Sequence, residues 1–219
     1  MDEERQRRAY ERTHDPARVM ALTDGVFAII LTLLVLEIHV PELTRGQTLR
    51  EALEEIRPSF VAFLISFVVV AIAWVGHRDL FAHVRRTDRP LIWLNILYML
   101  PLCLLPFGAS LIARYQTAAV ALELYGWMLV AIALTRVWMF WYGTGRPHLL
   151  YESIDRRSRL LGVGYVAVPA LVYLVVIAFA GSAPRVSLWI FALVPVLYLA
   201  GAWRSRRSLP PAWADSDAT

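Results

Sequence analysis

The chain has 219 residues, of which 58% are hydrophobic and 18% charged, and its mean hydropathy is +0.51. An ordinary soluble domain is about 25% charged and about half apolar. The composition therefore excludes a typical soluble enzyme, a secreted domain and a disordered chain, and indicates a polytopic membrane protein. The net charge is +4 and all 22 basic residues are arginine. These arginines stand in short runs between apolar stretches, so they do not indicate nucleic-acid binding.

The first apolar segment is too short to cross a membrane without a charge at membrane depth. Only residues 25–36 separate Asp24 from Glu37, whereas a bilayer core requires about 20 apolar residues. Helix signals nevertheless begin earlier, because Asp15 can cap a helix in which Pro16 takes the first position. The sequence predicts a first span over 16–39, which ends before Pro41 and carries charge into the membrane.

Five further segments are long enough to span. They are residues 58–77, 91–113, 123–142, 160–184 and 186–203. Pro101 and Pro106 predict a kink in the third span. The fold predicted is all-α, with six transmembrane helices in each subunit.

The connection between the first two spans has structure of its own. Leu49, Leu53 and Ile56 recur at helical spacing, and Thr48 with Glu51 forms a capping-box pattern. We expect a short amphipathic helix over 47–57 that lies on the outer membrane surface.

The distribution of arginine predicts the orientation. The two termini and the connections between spans two and three and spans four and five hold sixteen arginines, while the other three loops hold five. Positive loops stay in the cytoplasm, so both termini are predicted to be cytoplasmic. The domains predicted are a cytoplasmic tail over 1–15, a six-helix transmembrane channel domain over 16–204, and a cytoplasmic tail over 205–219.

The charged first span has a candidate partner in the second. Counted from each span's midpoint, Asp24 lies about 10 Å and His77 about 12 Å toward the cytoplasm. We expect the two to be in contact, joined by Arg18, since intramembrane ionisable groups need protein or water around them. Three roles are open for this cluster: pinning two helices together, gating, or relaying protons.

The same residues resemble the signature of a known family. The segment Arg18-x-x-x-Leu22-Thr23-Asp24 resembles the Arg-x-x-x-Phe-Ser-Asp motif of the endosomal and lysosomal potassium channels of the transmembrane protein 175 type. In the second span, Trp74 and His77 resemble that family's Trp-x-x-His segment. The resemblance implies a polar cluster between the first two helices. Its members are Arg18, Thr23, Asp24, Trp74 and His77.

The resemblance also implies an assembly and a pore. Prokaryotic members carry one six-helix repeat and form tetramers in which the first helix lines a central axis. Large aliphatic side chains form the ion constriction there, and Ile29 stands at the corresponding position. Thr32 follows as the hydroxyl position, and Leu33 and Leu36 continue the apolar lining.

The spacing of this set is compatible with a pore wall but does not require one. Ile29, Thr32, Leu33 and Leu36 share one helical face. Such a stripe, taken alone, is usually a lipid-facing or packing surface. Asp24 and Glu37 bracket it at the two ends, as charges would at the mouths of a water-filled path, with Glu37 predicted at the outer mouth.

Other signals carry no chemistry. No pattern of metal-ligand spacing is present, and Cys103 lies in an apolar run with no catalytic partner, so no metal, cofactor or enzymatic activity is predicted. Gly162-Val163-Gly164-Tyr165 resembles part of a potassium filter but stands at the predicted cytoplasmic end of its span. It is read as close helix packing through small residues. Arg136 is read as an anchor to the cytoplasmic interface.

The function predicted is a potassium-preferring cation channel, a homotetramer with a hydrophobic constriction, in the cell membrane of a bacterium. Its partners are other copies of the chain, the lipid bilayer and monovalent cations, and no nucleic acid; permeant K+ takes the place of a cofactor. The alternative is a proton-coupled transporter or a membrane enzyme that uses Arg18, Asp24 and His77 as an internal site.

The topology has a direct test. A tag on either terminus should react with a membrane-impermeant label only after the cells are opened, because both ends are predicted to be cytoplasmic. Labelling of a C-terminal tag on intact cells would contradict the six-span prediction.

Overall fold

The computed structural model describes the backbone of residues 15–206 and the side chains of residues 15–197. The two predicted tails fall almost wholly outside this part of the chain. Within it are eight α-helices and one 3-10 helix. The α-helices are α1 Pro16–Leu36, α2 Leu49–Glu55, α3 Arg57–Phe81, α4 Arg89–Cys103, α5 Leu105–Arg114, α6 Ala119–Thr144, α7 Arg156–Phe179 and α8 Pro184–Arg206, and the 3-10 helix is Pro147–Leu149.

The all-helical prediction is confirmed in outline. Five stretches among the described residues are long and apolar enough to cross a membrane: α1, α3, α4 together with α5, α6 and α7. The sixth predicted span corresponds to α8, whose apolar part within the described side chains is the shorter stretch Pro184–Leu197. Six crossings and cytoplasmic termini therefore stay predictions.

The first helix begins as its sequence indicates and ends earlier than predicted. The Asp15 carboxylate accepts a hydrogen bond from the Ala17 N–H at 2.9 Å, and Pro16 follows the cap. The helix ends at Leu36 rather than near His39, and Glu37 is its C-cap. The Ile38 N–H bonds the Val35 carbonyl at 3.1 Å, which tightens the last turn and terminates the helix.

Helix α2 has the capping box that its sequence predicts. The Thr48 hydroxyl accepts from the Glu51 N–H at 3.4 Å, and the Glu51 carboxylate accepts from the Thr48 N–H at 2.8 Å. This backbone bond, with the Thr48 hydroxyl, holds the pKa of Glu51 below its ordinary value. Leu49 and Leu53 stay exposed, as expected of a helix that lies on a membrane surface.

The third span is interrupted where its prolines predict. Helix α4 ends at Cys103 and α5 begins at Leu105, with Pro101 inside the first piece and Pro106 in the first turn of the second. Because proline lacks an N–H and clashes with the preceding turn, two of them so close together break the helix.

The two arginine-rich connections meet at one end of the bundle. Val84, between α3 and α4, forms an isolated antiparallel bridge with Leu150, between α6 and α7. The Arg85 N–H bonds the Leu149 carbonyl at 2.7 Å, and the Tyr151 N–H bonds the His83 carbonyl at 3.1 Å. These loops are therefore on the same side of the protein, as the arginine count requires of two cytoplasmic loops.

Helix α1 packs by one face against α3, α4 and α5, while α6 packs closely with α4 and α7. Small residues permit the closest approaches. A side chain at Gly126 of α6 would place its Cβ 2.6 Å from Ile177 of α7 and 3.3 Å from Phe191 of α8. Gly162 of α7 lies against Phe140 of α6, where a Cβ would be 2.7 Å from the ring, so it has the packing role predicted. Gly164 has open space beside it.

The glycine contacts predict two opposite effects on stability. Gly126→Ala should lower the unfolding free energy by about 1–3 kcal/mol, because the added methyl overpacks the α6–α7–α8 contact. The matched change Gly164→Ala should be neutral or stabilising, since alanine is the better helix former. Thermal unfolding of both variants in detergent checks this; equal melting temperatures would show that the contact at Gly126 is loose.

Candidate functional site

Thr23 of α1 is the buried centre of the predicted polar cluster. Its side chain is fully enclosed. The hydroxyl donates to the Val19 carbonyl of the preceding turn at 2.9 Å and accepts from the Asn95 side-chain amide of α4 at 2.8 Å. A residue that the sequence places on the first helix is thus bonded to the third span.

Asn95 joins three helices. Its amide nitrogen donates to Thr23, which leaves its oxygen to accept, and that oxygen lies 2.7 Å from Nε2 of His77 on α3. Nε2 must therefore carry a proton in this arrangement. Thr23, Asn95 and His77 are each at most 1% exposed, so their hydrogen bonds are shielded from water. We call these three residues the buried triad.

Aromatic rings enclose His77 on its remaining sides. The Phe81 ring stacks on it with centroids 4.3 Å apart, Tyr98 is parallel to it at 6.1 Å, and Phe27 of α1 lies at 6.2 Å. Tyr98 in turn donates its hydroxyl to the Ala73 carbonyl of α3 at 3.0 Å. The imidazole is consequently held in one orientation by packing as well as by hydrogen bonding.

Asp24 has a different partner from the one predicted. Its carboxylate accepts from the Trp74 indole N–H of α3 at 2.8 Å, whereas His77 bonds Asn95. The expected direct contact between Asp24 and His77 is wrong. Both residues do tie α1 to the rest of the bundle, but along adjacent routes, because successive residues on α1 point about 100° apart.

Arg18 stands apart from these bonds. It is exposed and borders a surface crevice of about 210 Å³ that reaches Asn95 between α1 and α4. In the described part of the chain no ion pair links Arg18 to Asp24. The sequence expectation that Arg18 joins the contact is therefore wrong for this subunit.

The predicted pore residues lie on the opposite side of α1 from the triad. Ile29 is 58% exposed, Leu33 42% and Leu36 67%. Thr32 is also exposed and donates its hydroxyl to the Ile29 carbonyl at 2.8 Å. Phe27, Ile30 and Leu34 carry the buried face. We call Ile29, Thr32, Leu33 and Leu36 the outward face of α1.

Glu37 ends this face. It is the C-cap of α1, half-buried, and its carbonyl oxygen lies 3.1 Å from Nδ1 of His39. Asp24 and Glu37 thus lie near opposite ends of the outward face, as predicted, although Glu37 is at the helix end rather than inside the helix.

Sequence reasoning missed Asn95, on which the triad depends. The signal was available: Asn95 is an uncharged but strongly polar residue in the otherwise apolar third span, where a side-chain amide needs a partner. What the sequence does not show is which of its neighbours it faces. Arg136 likewise has its guanidinium against Gly76 of α3, a contact that its role as a simple anchor does not include.

This arrangement defines a class of protein. A helical bundle with five stretches of membrane length, three of them joined by a buried polar triad, is typical of a polytopic membrane protein.

The comparisons identify the family. The family model for the endosomal/lysosomal potassium channel TMEM175 matches residues 18–106. A potassium channel of Streptomyces collinus is 36% identical over 146 residues, which are 65% of this chain and 71% of that protein. The crystal structure of a lysosomal potassium-selective channel TMEM175 homologue from Chamaesiphon minutus matches with a TM-score of 0.75 at 30% identity, covering 84% of this chain and 96% of that one. The endosomal/lysosomal proton channel TMEM175 of Rattus norvegicus is 27% identical over 68% of this chain and 30% of that protein.

The chain belongs to the TMEM175 family of multi-pass membrane channels, which has bacterial members. Its resemblance to that family and its assignment as a non-enzyme are confirmed.

The triad geometry predicts where energetic coupling is found. His77→Ala and Asn95→Ala should each destabilise the protein, and the double variant should lose less than the sum, by about 0.6–2 kcal/mol, because the pair shares one intramembrane hydrogen bond. Asp24→Asn combined with His77→Ala should show a smaller coupling, because no hydrogen bond joins these two residues. Unfolding of the purified variants in detergent measures both cycles, and additivity for Asn95 and His77 would contradict the hydrogen bond.

Proposed function

We propose that this protein is a potassium-preferring cation channel in which several copies, four by analogy with the predicted tetramer, surround an axis lined by the outward face of α1. The observation that carries the proposal is the placement of that face. One side of α1 is tied to α3 and α4 by buried polar contacts, and the other, with Ile29 at its centre, is left outside the subunit. A permeation path on this face needs further copies, since one chain contributes a single helix of this type.

The side chains of this face fit an apolar constriction. A narrow ring of isoleucines excludes water when closed and holds it when widened by a few ångströms. Potassium sheds its hydration shell more readily than sodium, so a ring without carbonyl ligands favours potassium modestly. Leu33 and Leu36 continue the apolar wall, and Glu37 concentrates cations at the outer mouth.

The Thr32 hydroxyl lies one helical turn beyond Ile29. Its proton is used within the helix, on the Ile29 carbonyl. The two lone pairs of the hydroxyl oxygen are then available to a partly dehydrated cation that has passed the isoleucine ring. In this proposal Thr32 eases the cation's exit from the constriction.

The buried triad and the Asp24–Trp74 bond hold α1 at a fixed rotation about its own axis. A rotation of one residue, about 100°, would replace Ile29 by Ile30 in the path and expose Thr23. Pinning of helices is therefore the role that these contacts support best. A gating role would require one of these hydrogen bonds to exchange partners. Asp24 of α1 is best placed to do so, because its side chain is exposed.

The alternative, a proton-coupled transporter or membrane enzyme using Arg18, Asp24 and His77, has less support. His77 is enclosed by rings and bonded to an amide rather than to either charged residue. The name of the rat relative, a proton channel, keeps proton conduction as a measurable alternative. Flux from proteoliposomes that contain only this protein separates the two. Passive potassium flux supports the proposal, and flux that depends on a proton gradient supports the alternative.

The site of action proposed is the cell membrane of a bacterium. No cofactor is needed for passive conduction; the permeant ion itself is the ligand.

The constriction has a sharp test. Ile29→Asn should raise leak current and reduce the preference for potassium over sodium, because an amide keeps the ring hydrated where an isoleucine excludes water. The measurement is the reversal potential and the basal current of the variant in planar bilayers or whole cells.

The matched control is Val35→Asn. Val35 is also exposed, at 49%, but is rotated about 120° from Ile29 on the helix. The Val35→Asn variant should therefore have the same preference for potassium over sodium as the unmodified protein. Ile30 is unsuitable for this purpose, since it is buried and asparagine there would disrupt packing. Equal changes at positions 29 and 35, or none at 29, would contradict the placement of the outward face on the path.

A further inference from the structure

A groove lies between α3, α5 and α8, away from α1. It encloses about 220 Å³. Its walls are aliphatic and include Ile65 of α3, Ile112 of α5, and Leu188 with Ala192 of α8. The aliphatic walls of this groove fit an apolar occupant of narrow cross-section.

Two arginines stand at the mouth of the groove. Arg57 is the first residue of α3 and Arg185 the second residue of α8. The lining contains no aspartate or glutamate. Among the described residues neither guanidinium has a hydrogen-bond or ion-pair partner.

The position of these arginines runs against the usual rule for helix ends. The N-terminus of a helix carries partial positive charge, which favours acidic residues in the first turn and disfavours basic ones. Both α3 and α8 lack an acidic residue in the first turn and have arginine there instead. Two positive helix ends and two positive side chains therefore border the groove, while Glu54 of α2 shares a separate crevice with Arg57 on its other side. Helices α4 and α7 also begin with arginine and have no acidic residue in the first turn; what distinguishes Arg57 and Arg185 is that both border the same apolar groove.

The mouth and the groove together match one kind of molecule. From Arg57 to Ile65 the groove follows α3 for eight residues, about 12 Å along the helix axis. A lipid places a phosphate at the membrane surface and an acyl chain directly beneath it, which is the same order: charge outside, aliphatic walls within. Arginine forms bidentate hydrogen bonds to phosphate oxygens. Trp189, which is 75% exposed at the rim, belongs to a residue type enriched at the membrane interface.

We propose that this groove binds one phospholipid with a net negative head group, whose phosphate is held by Arg57 and Arg185 and whose acyl chain lies between α3, α5 and α8. The site is distinct from the outward face of α1 and does not depend on ion conduction.

The test measures lipid binding to the purified, delipidated full-length protein. Native mass spectrometry and thermal unfolding are followed as dioleoyl phosphatidylglycerol or dioleoyl phosphatidylcholine is added. The phosphatidylglycerol should be retained and should raise the melting temperature, and the phosphatidylcholine should do so much less. The double variant Arg57→Gln with Arg185→Gln should bind phosphatidylglycerol with roughly 25-fold lower affinity. This figure follows from about fivefold in affinity for each basic residue near a membrane surface.

Matched controls distinguish lipid binding in the groove from a general effect of surface charge and from a change in helix packing. Arg45→Gln with Arg114→Gln removes the same two charges from the same predicted side of the membrane, outside the groove, and should leave lipid binding unchanged. Ala192→Trp fills the groove while both arginines stay, and should abolish retention of the lipid. Glycerol phosphate, which has no acyl chain, should not compete.

Four results would overturn the proposal. They are equal binding of both lipids, an equal loss in the control pair, competition by glycerol phosphate, or a change in oligomeric mass without loss of lipid in the Arg57 and Arg185 variant. The last result would mean that the groove holds a second copy of the chain.

Discussion

The structure depends on one constraint: a polar side chain buried at membrane depth has to find its partner within the protein. Hydrocarbon offers no hydrogen bond, and an unpaired amide or imidazole there costs several kcal/mol. Thr23, Asn95 and His77 meet this constraint together, with Asn95 using one end of its amide on α1 and the other on α3. Because both ends of the amide are used, a shift of any of the three helices leaves at least one group unpaired.

The constraint fixes the rotation of α1 and so decides which residues face away from the subunit. Thr23, Phe27, Ile30 and Leu34 are turned inward by the triad and the packing around it. Ile29, Leu33 and Leu36 are then turned outward. Exposure of apolar side chains is common to every membrane protein, so it does not by itself distinguish a pore wall from a lipid-facing surface. The proposed pore wall depends on the charges that bracket this face.

The contacts that tie α1 to the bundle are of two kinds. A buried, ring-enclosed histidine bonded to a neutral amide is suited to holding a structure together, whereas a carboxylate on an exposed position with one indole partner can change partners at low cost. The triad and the Asp24–Trp74 bond are therefore different in kind although they are neighbours on α1. Both hold α1 in place, and the triad, which is closed to water, contributes the more to this.

The sequence alone determined the apolar spans, the cap at Asp15, the capping box of α2, the proline break in the third span and the family signature. Each of these features depends on composition or on residues within one or two helical turns of each other. None of them requires knowledge of what lies across the bundle. The depth of the ionisable residues along the first two spans also indicated correctly that Asp24 and His77 lie at similar levels.

Only the tertiary structure decided the partners of Asp24 and His77. Depth fixes a residue's position along a helix axis and leaves its rotation about that axis open. Rotation is set by packing against other helices, and that is why Asn95, on a third helix, bonds His77, while Trp74, one turn earlier, bonds Asp24.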